Sequence, residues 1–241
     1  MKTIVHKANS RGSADHGWLK AHHSFSFAGW FNPNRVHFGA LRVLNDDIIA
    51  PKMGFGTHPH DNMEIITIPL KGVLKHRDNM HDDWQSVLPS EVQVMSAGTG
   101  VKHSEINGST SEDLSLFQIW IIPNERSVKP RYDQKTFKSE DRKNNLQVLV
   151  SSFEDPHQDS LKIHQDARLS RIDLSENSHL EYKLKSKEYG VYMMAISGNV
   201  DVGNDSLSSR DAIAVSESAG FSVKATSTSQ LLFIEVPMIS I

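Results

Sequence analysis

The chain has 241 residues, of which 38% are hydrophobic, so it can bury one large core or two small ones. Its formal net charge is −3 with both signs spread along the sequence, which argues against a nucleic-acid partner and a membrane partner. There is no cysteine, which excludes disulfides, thiolate catalysis and zinc–thiolate sites.

The beginning of the sequence contains neither an apolar signal core nor a run near the roughly 20 apolar residues of a membrane span, so we expect a cytoplasmic protein. A strand is predicted over Val36–Leu44, ended by a turn at Asn45-Asp46-Asp47. Five aromatic residues are expected to cover one end of a barrel, or alternatively to line a pocket for a flat substrate: Trp18, Phe25, Phe27, Trp30 and Phe31.

Two histidines follow on an extended segment. His58 and His60 are predicted to point to the same face, because side chains alternate along a strand with a period of two. Pro59 between them supports an extended backbone, since the residue before a proline is displaced from the helical region. Two imidazoles converging from one strand face form half of a metal site.

Short strands then alternate with turns and show no helical periodicity, which predicts an antiparallel barrel or sandwich. The predicted strands are Glu64–Leu70, Val73–Asp78, Val92–Ser96 and Leu116–Ile122. His76 and Gln118 lie on two of them. We interpret both as satisfied polar groups at a barrel edge rather than as catalytic residues.

A second pair of candidate ligands, His103 and Glu105, repeats the spacing of His58 and His60 after a glycine-rich turn. The chain contains 13 histidines, so one such pair could arise by chance. Two pairs, each beside a glycine-rich turn, favour a metal site. Three neutral imidazoles and a carboxylate, with open positions, suit Fe(II), Mn(II), Ni(II) or Cu(II) that must bind a substrate or dioxygen.

Residues 123–145 are charged and turn-rich, and we expect an inter-domain linker there. Strand signals resume at Leu146–Val150 and continue to Leu231–Pro237. The second half resembles a degenerate copy of the first, because Ser218–Lys224 echoes Ser96–Lys102 and Phe233–Pro237 echoes Ile119–Pro123.

In that alignment the second copy has no ligand residue at the positions of the two pairs. The residues found there are Leu184 and Ser186 near His58 and His60, Ala225 at His103, and Ser227 at Glu105. We therefore predict one metal, in the N-terminal half only.

The two ligand pairs lie within stretches that resemble known motifs. Gly54–Gly72 is similar to the first cupin motif and Gly98–Asn107 to the second. More narrowly, the chain resembles the pirin family, and within it the bacterial pirin-like proteins with quercetin dioxygenase activity. The stretches that carry this resemblance are Thr57–His60, Gly72–Asp78, Val92–Glu105, Arg11–Leu19 and His23–Phe27. It covers most of residues 1–135 and continues more weakly to the end.

The resemblance implies an all-β bicupin, two antiparallel β-barrels of the jelly-roll type in tandem. Residues 1–135 would form a metal-binding pirin barrel, and residues 146–241 a degenerate cupin barrel without metal ligands. We expect a monomer, because the second barrel would supply the packing that single-barrel cupins obtain by dimerising.

The resemblance also implies the ligand set His58, His60, His103 and Glu105, because pirins use the carboxylate two residues after the last histidine. Glu64 is the alternative, since many cupins take their carboxylate from this position of the first motif. It also shares a predicted strand face with His58 and His60, and we interpret it as a group that points towards the site without ligating, or as a group at the edge of the core. Iron(II) is the leading metal by resemblance, and Mn, Ni, Co, Cu or Zn could fill the same ligands.

The implied activity is cleavage of a flavonol such as quercetin by dioxygen, with release of carbon monoxide. Glu105, or alternatively Glu64, would accept the proton of the substrate hydroxyl as general base. The partners would then be a flavonol-like aromatic and O2. The alternative is a non-catalytic, metal-binding, redox-sensing regulatory protein of the pirin type.

Overall fold

A computed structural model describes residues 1–239, so the last two residues of the expected C-terminal barrel lie outside the described residues. The described chain is almost entirely strand and turn, with short 3-10 helices at Ala8–Ser10 and Ser139–Arg142. Within it, no helix has the length and apolar character that crossing a membrane requires.

The strands follow one another in chain order through both halves. The first half contains β1 (Lys2–His6), β2 (Gly12–Asp15), β3 (Leu19–His23), β4 (Leu41–Ile49), β5 (Gly54–His60), β6 (Glu64–Lys71), β7 (Leu74–Asp78), β8 (Gln85–Val87), β9 (Glu91–Ser96), β10 (Val101–Asn107), β11 (Leu114–Ile121) and β12 (Arg131–Thr136). The second half contains β13 (Gln147–Ser152), β14 (Leu161–Ile163), β15 (Arg168–Leu174), β16 (His179–Lys183), β17 (Tyr189–Ser197), β18 (Val200–Val202), β19 (Asp205–Leu207), β20 (Ala212–Ser216), β21 (Gly220–Ala225) and β22 (Ser229–Pro237).

Each half is a barrel built from a seven-stranded and a four-stranded sheet. In the first half the orders are β12-β9-β6-β11-β4-β3-β2 and β5-β10-β7-β8. In the second they are β1-β20-β17-β22-β15-β13-β14 and β16-β21-β18-β19. Apart from the parallel pairing of β14 with β13, the named pairs are antiparallel. The fold is therefore the expected all-β tandem of cupin barrels.

Three sequence expectations differ from the structure. Strand β4 begins at Leu41 rather than at Val36, and it does not end at Asn45-Asp46-Asp47 but runs through them to Ile49, because these three residues pair with both β11 and β3. The expected linker contains β12, which extends the N-terminal sheet by pairing with β9. Strand β1, expected in the N-terminal barrel, pairs with β20 of the C-terminal one.

One apolar core joins the two barrels. Its members come from both halves and include Phe25, Leu41 and Phe117 of the first, and Tyr192 and Leu232 of the second. Burying each large apolar side chain contributes about 1.5–3 kcal/mol, so this shared core holds the barrels together as one body. A second apolar cluster fills the C-terminal barrel, whereas the smaller clusters of the N-terminal barrel leave room for a cavity.

Candidate metal centre

The four-stranded sheet of the N-terminal barrel brings the two predicted ligand pairs together. Strand β5 carries His58 and His60, and its neighbour β10 carries His103 and Glu105. In the register, His103 lies opposite His58. Pro59 is tolerated because β5 is an edge strand, where a missing backbone N–H leaves no partner unsatisfied.

The three imidazoles converge on one point. Their ring centroids are 4.3 Å apart for His58 and His103, and 4.9 Å apart for each of the other two pairs. One nitrogen of each ring can be chosen so that all three lie within 4.8 Å of one another. Among residues 1–239 this group comprises the three histidines and does not include Glu105.

Hydrogen bonds orient two of these rings for ligation. The Nδ1 atom of His58 lies 2.8 Å from the backbone oxygen of Gly56 and must donate to it, which leaves Nε2 with a lone pair. The Nδ1 atom of His103 lies 3.2 Å from Nε2 of His76. The remaining nitrogen of His103, Nε2, is buried without a hydrogen-bond partner anywhere in the described chain.

The environment keeps the rings of His60 and His103 neutral, as ligation requires. Burial, together with the neighbouring His58 imidazole, lowers the pKa of His60 to about 4. Burial and the surrounding imidazoles lower the pKa of His103 to about 2. In a neutral ring one nitrogen carries a lone pair, and the unpartnered Nε2 of His103 is free to offer it to an ion, so the donor set fits a divalent transition metal.

Glu105 lies in the same cavity as the histidines and is 3% exposed. The amide Nε2 of Gln118 donates to its Oε2 at 3.1 Å, with Oε1 at 3.4 Å. Burial raises the pKa of Glu105 to about 7, and the hydrogen bond from Gln118 opposes that rise. Gln118 thus holds the candidate ligand in place. It is a satisfied polar group, as the sequence suggested, but it lies in the cavity wall on an inner strand and not at a barrel edge.

Glu64 is placed differently from the expectation. Asn62, whose φ is +44°, breaks the extended segment, and Glu64 begins β6 in the seven-stranded sheet. Its carboxylate accepts a hydrogen bond from Ser96 Oγ at 2.7 Å and does not line the cavity of the histidines within the described residues. The predicted common face of His58, His60 and Glu64 is therefore wrong.

A cavity of about 460 Å³ opens beside the histidines. Its aromatic walls are Trp18, Phe27, Phe55 and Trp120. The Trp120 ring lies 4.9 Å from that of His60, edge to face. The volume falls within the range of about 300–1,000 Å³ typical of pockets for drug-sized ligands. Trp18 and Phe27, expected first as a barrel cover, line this cavity.

The sequence interpretation missed two further polar residues of the cavity wall, Asn45 and Asp47. Asp47 is 4% exposed, and its Oδ1 has no hydrogen-bond partner in residues 1–239. Burial and the neighbouring acidic groups raise its pKa to about 8. The sequence analysis assigned both residues to a turn because of their turn propensity. Their spacing of two residues on β4 is the signal that could have placed them on one strand face.

The C-terminal barrel has the same strand order in its small sheet, since β16-β21-β18-β19 matches β5-β10-β7-β8. Its interior is filled by apolar side chains. Leu184 and Ala225, aligned with His58 and His103, belong to the buried cluster. The ring of Tyr182 stacks on those of Phe221 and Phe233. This packing leaves no comparable ligand group in the described part of that barrel.

The fold and the histidine centre define a bicupin with a candidate metal site in its first barrel. The chain belongs to the pirin family: the Pirin family model matches residues 4–121. A second model, the quercetinase C-terminal cupin domain, matches residues 148–236. The sequence-based resemblance is thereby confirmed.

Relatives of known name and structure cover nearly the whole chain. Quercetin 2,3-dioxygenase of Escherichia coli (strain K12) is 42% identical over 233 residues, 97% of this chain and 98% of that protein. A pirin-like protein of Caulobacter vibrioides is 40% identical over 224 residues, 93% and 95% of the two chains. The crystal structure of bacterial pirin YhhW from E. coli in complex with nickel(II) superposes with a TM-score of 0.92 at 40% identity, covering 99% of this chain and all (100%) of that one.

Proposed function

We propose that the chain is a metal-dependent dioxygenase that cleaves a flavonol such as quercetin with O2. The observation that carries the proposal is the convergence of three imidazoles at the wall of an aromatic cavity of about 460 Å³. Two relatives support it: the E. coli protein at 42% identity is named quercetin 2,3-dioxygenase, and the similar E. coli pirin structure contains nickel(II).

His58, His60 and His103 would hold one divalent transition metal. Iron(II) is our first choice, and Mn, Ni, Co, Cu or Zn would suit the same donors. When bound, the ion supplies Lewis acidity that lowers the pKa of a hydroxyl in contact with it, and access to dioxygen. The unpartnered Nε2 of His103 is the structural support for this assignment.

The protein's own groups would position and deprotonate the substrate. Phe27 and Trp120, whose ring centroids are 5.4 Å apart, offer apolar faces to an aromatic ring and exclude water. Asp47 presents a buried carboxyl group whose Oδ1 has no hydrogen-bond partner in the described chain, which suits a substrate hydroxyl. Glu105 has a pKa near neutrality, which suits a base that accepts the proton of the flavonol hydroxyl.

Glu105 has two roles in the proposal, fourth ligand and general base, and a carboxylate that stays ligated cannot serve as the free base. Glu105→Gln separates them. Loss of metal affinity would support ligation. Retained metal with a large loss of kcat would support the base. Glu64→Gln is the matched control, because Glu64 is equally buried but lies outside the cavity.

The test is oxygen uptake and loss of flavonol absorbance with quercetin, on protein stripped of metal and reloaded separately with Fe(II), Mn(II), Co(II), Ni(II) and Cu(II). We expect turnover that requires a metal and disappears in His58→Ala and His103→Ala. Tight, stoichiometric metal without turnover would favour the redox-sensing regulatory protein instead. Absence of metal binding would refute the proposal.

The proposal also includes a cytoplasmic monomer. The support for a monomer is the apolar core shared by the two barrels, which buries the joining face of each within one chain. Sedimentation of the metal-loaded protein tests this, since a mass of two chains would contradict it.

A further inference from the structure

His76 and Asp78 lie directly behind the three-histidine centre. Both are on β7, which pairs with β10 on the side away from β5. In the register His76 lies opposite Glu105, and Asp78 lies opposite His103. His76 is 0% exposed and Asp78 is 6% exposed, so neither residue contributes to the solvent-exposed surface. Two polar residues buried at this position require a reason.

The side chains form a row that begins at the candidate metal position. His103 Nδ1 lies 3.2 Å from His76 Nε2, and His76 Nδ1 lies 3.8 Å from Asp78 Oδ2. Three atoms of this row are buried without a hydrogen-bond partner in the described residues: His103 Nε2, His76 Nδ1 and Asp78 Oδ2. His76 Nδ1 and Asp78 Oδ2 face each other, and His103 Nε2 faces the candidate metal position.

The row selects one tautomer for each ring. A carboxylate only accepts hydrogen bonds, so Asp78 favours a proton on Nδ1 of His76. Nε2 of His76 is then a lone pair and accepts the N–H of His103 Nδ1. Nε2 of His103 is consequently left without a proton. With the opposite pair of tautomers, the lone pair of His76 Nδ1 would face the carboxylate oxygen of Asp78. Two acceptors would then oppose each other with no proton between them.

We propose that Asp78, acting through His76, is a positioning residue that fixes His103 in the tautomer whose Nε2 can ligate a metal. A histidine ligand held by a hydrogen bond on its other nitrogen is stiffer and more basic than a free one. The inference rests on the proposed metal centre. It adds control of the His103 tautomer by two buried residues that belong neither to the ligand pairs nor to the cavity wall.

Three neighbouring contacts hold the row in place. Asp78 Oδ1 accepts the backbone N–H groups of Met80 at 2.7 Å and His81 at 3.0 Å, so its other oxygen is turned towards His76. The ring of Tyr132 stacks on His76 with centroids 5.1 Å apart and planes at 22°. These contacts orient Asp78 and His76 within the row.

Asp78→Asn is the sharpest variant. Its amide oxygen can keep the two backbone hydrogen bonds, and its amide N–H group then faces His76 Nδ1. A donor at this position favours the opposite tautomers and places a proton on Nε2 of His103. We expect the dissociation constant for Ni(II), measured by calorimetry with the metal alone, to rise about 10- to 100-fold. Tyr132→Phe is the control, because it removes a hydroxyl bonded to Gln134 and keeps the stacked ring.

The second readout needs no metal and no turnover. Nitrogen-15 NMR of the imidazoles in metal-free protein should show His103 of the unaltered chain protonated on Nδ1, and protonated on Nε2 in Asp78→Asn. An Nε2 proton on His103 in the unaltered chain would overturn the inference even if the variant failed to fold. So would Asp78→Asn with unchanged Ni(II) affinity, and the proposed centre would then still stand. Failure of the unaltered chain to bind Ni(II) would instead refute the centre.

Discussion

Replacing Glu105 with glutamine is expected to stabilise the metal-free protein at mildly alkaline pH. Glu105 is 3% exposed, and burial raises its pKa from 4.5 to about 7. In the unfolded chain the carboxyl ionises near the lower value. Between these two values the folded protein therefore keeps a proton that the unfolded chain releases. The free energy of unfolding falls as the pH rises through this window and stays low above it.

The size of the effect follows from the two pKa values. The difference corresponds to roughly 3 kcal/mol, at about 1.4 kcal/mol per pKa unit. Glutamine removes the charge, but it also alters the hydrogen bond from Gln118. That change offsets about 1 kcal/mol of the stability gained. We therefore expect Glu105→Gln without metal to be about 2 kcal/mol more stable than the unaltered protein near pH 8. For a chain of this length, this corresponds to a rise in Tm of about 4–8 °C.

The assay is urea unfolding with a chelator present, at pH values on both sides of the window. Glu64→Gln is a matched variant, because burial also raises the pKa of Glu64 to about 7. In both variants the free energy of unfolding should fall less as the pH rises than it does in the unaltered protein. Only Glu105→Gln should also lose metal affinity or turnover. The reasoning would be refuted if Glu105→Gln were no more stable than the unaltered protein near pH 8.

Three further predictions concern other parts of the chain. Asp47→Asn should leave Ni(II) affinity unchanged and lower kcat/KM for the flavonol about tenfold or more, because the cavity wall loses its buried carboxyl group; calorimetry and steady-state kinetics check this. Burial lowers the pKa of His6 from 6.5 to about 4, so the free energy of unfolding should fall by up to roughly 3 kcal/mol as the pH drops through that window; His6→Gln should flatten this part of the urea-derived profile. Gly98→Ala should cost about 2 kcal/mol or more, because φ is +48° and the new Cβ would lie 2.0 Å from the oxygen of Val128; thermal unfolding beside Gly29→Ala, which meets no described atom within 4 Å, checks this.

Strand positions were predictable wherever alternation was strong. The predicted strands at Glu64–Leu70 and Val92–Ser96 are confirmed within a residue or two as β6 and β9. The failures share one cause. At Asn45-Asp46-Asp47, turn propensity predicted an end, but pairing of these residues with β11 and β3 continues the strand. Long-range partners decided these positions, and local propensity does not contain them.

The sequence by itself determined the types of the candidate ligands and their local geometry. His58 and His60, like His103 and Glu105, share a strand face because alternation is a property of the backbone alone. Only the tertiary structure decided which carboxyl group faces the histidines and that His76 and Asp78 stand behind them. Those placements depend on the pairing of β5, β10 and β7, strands distant in sequence, and on the break at Asn62 that directs Glu64 into the other sheet. Side-chain direction is set within a few residues, whereas convergence is set by register and packing across the whole barrel.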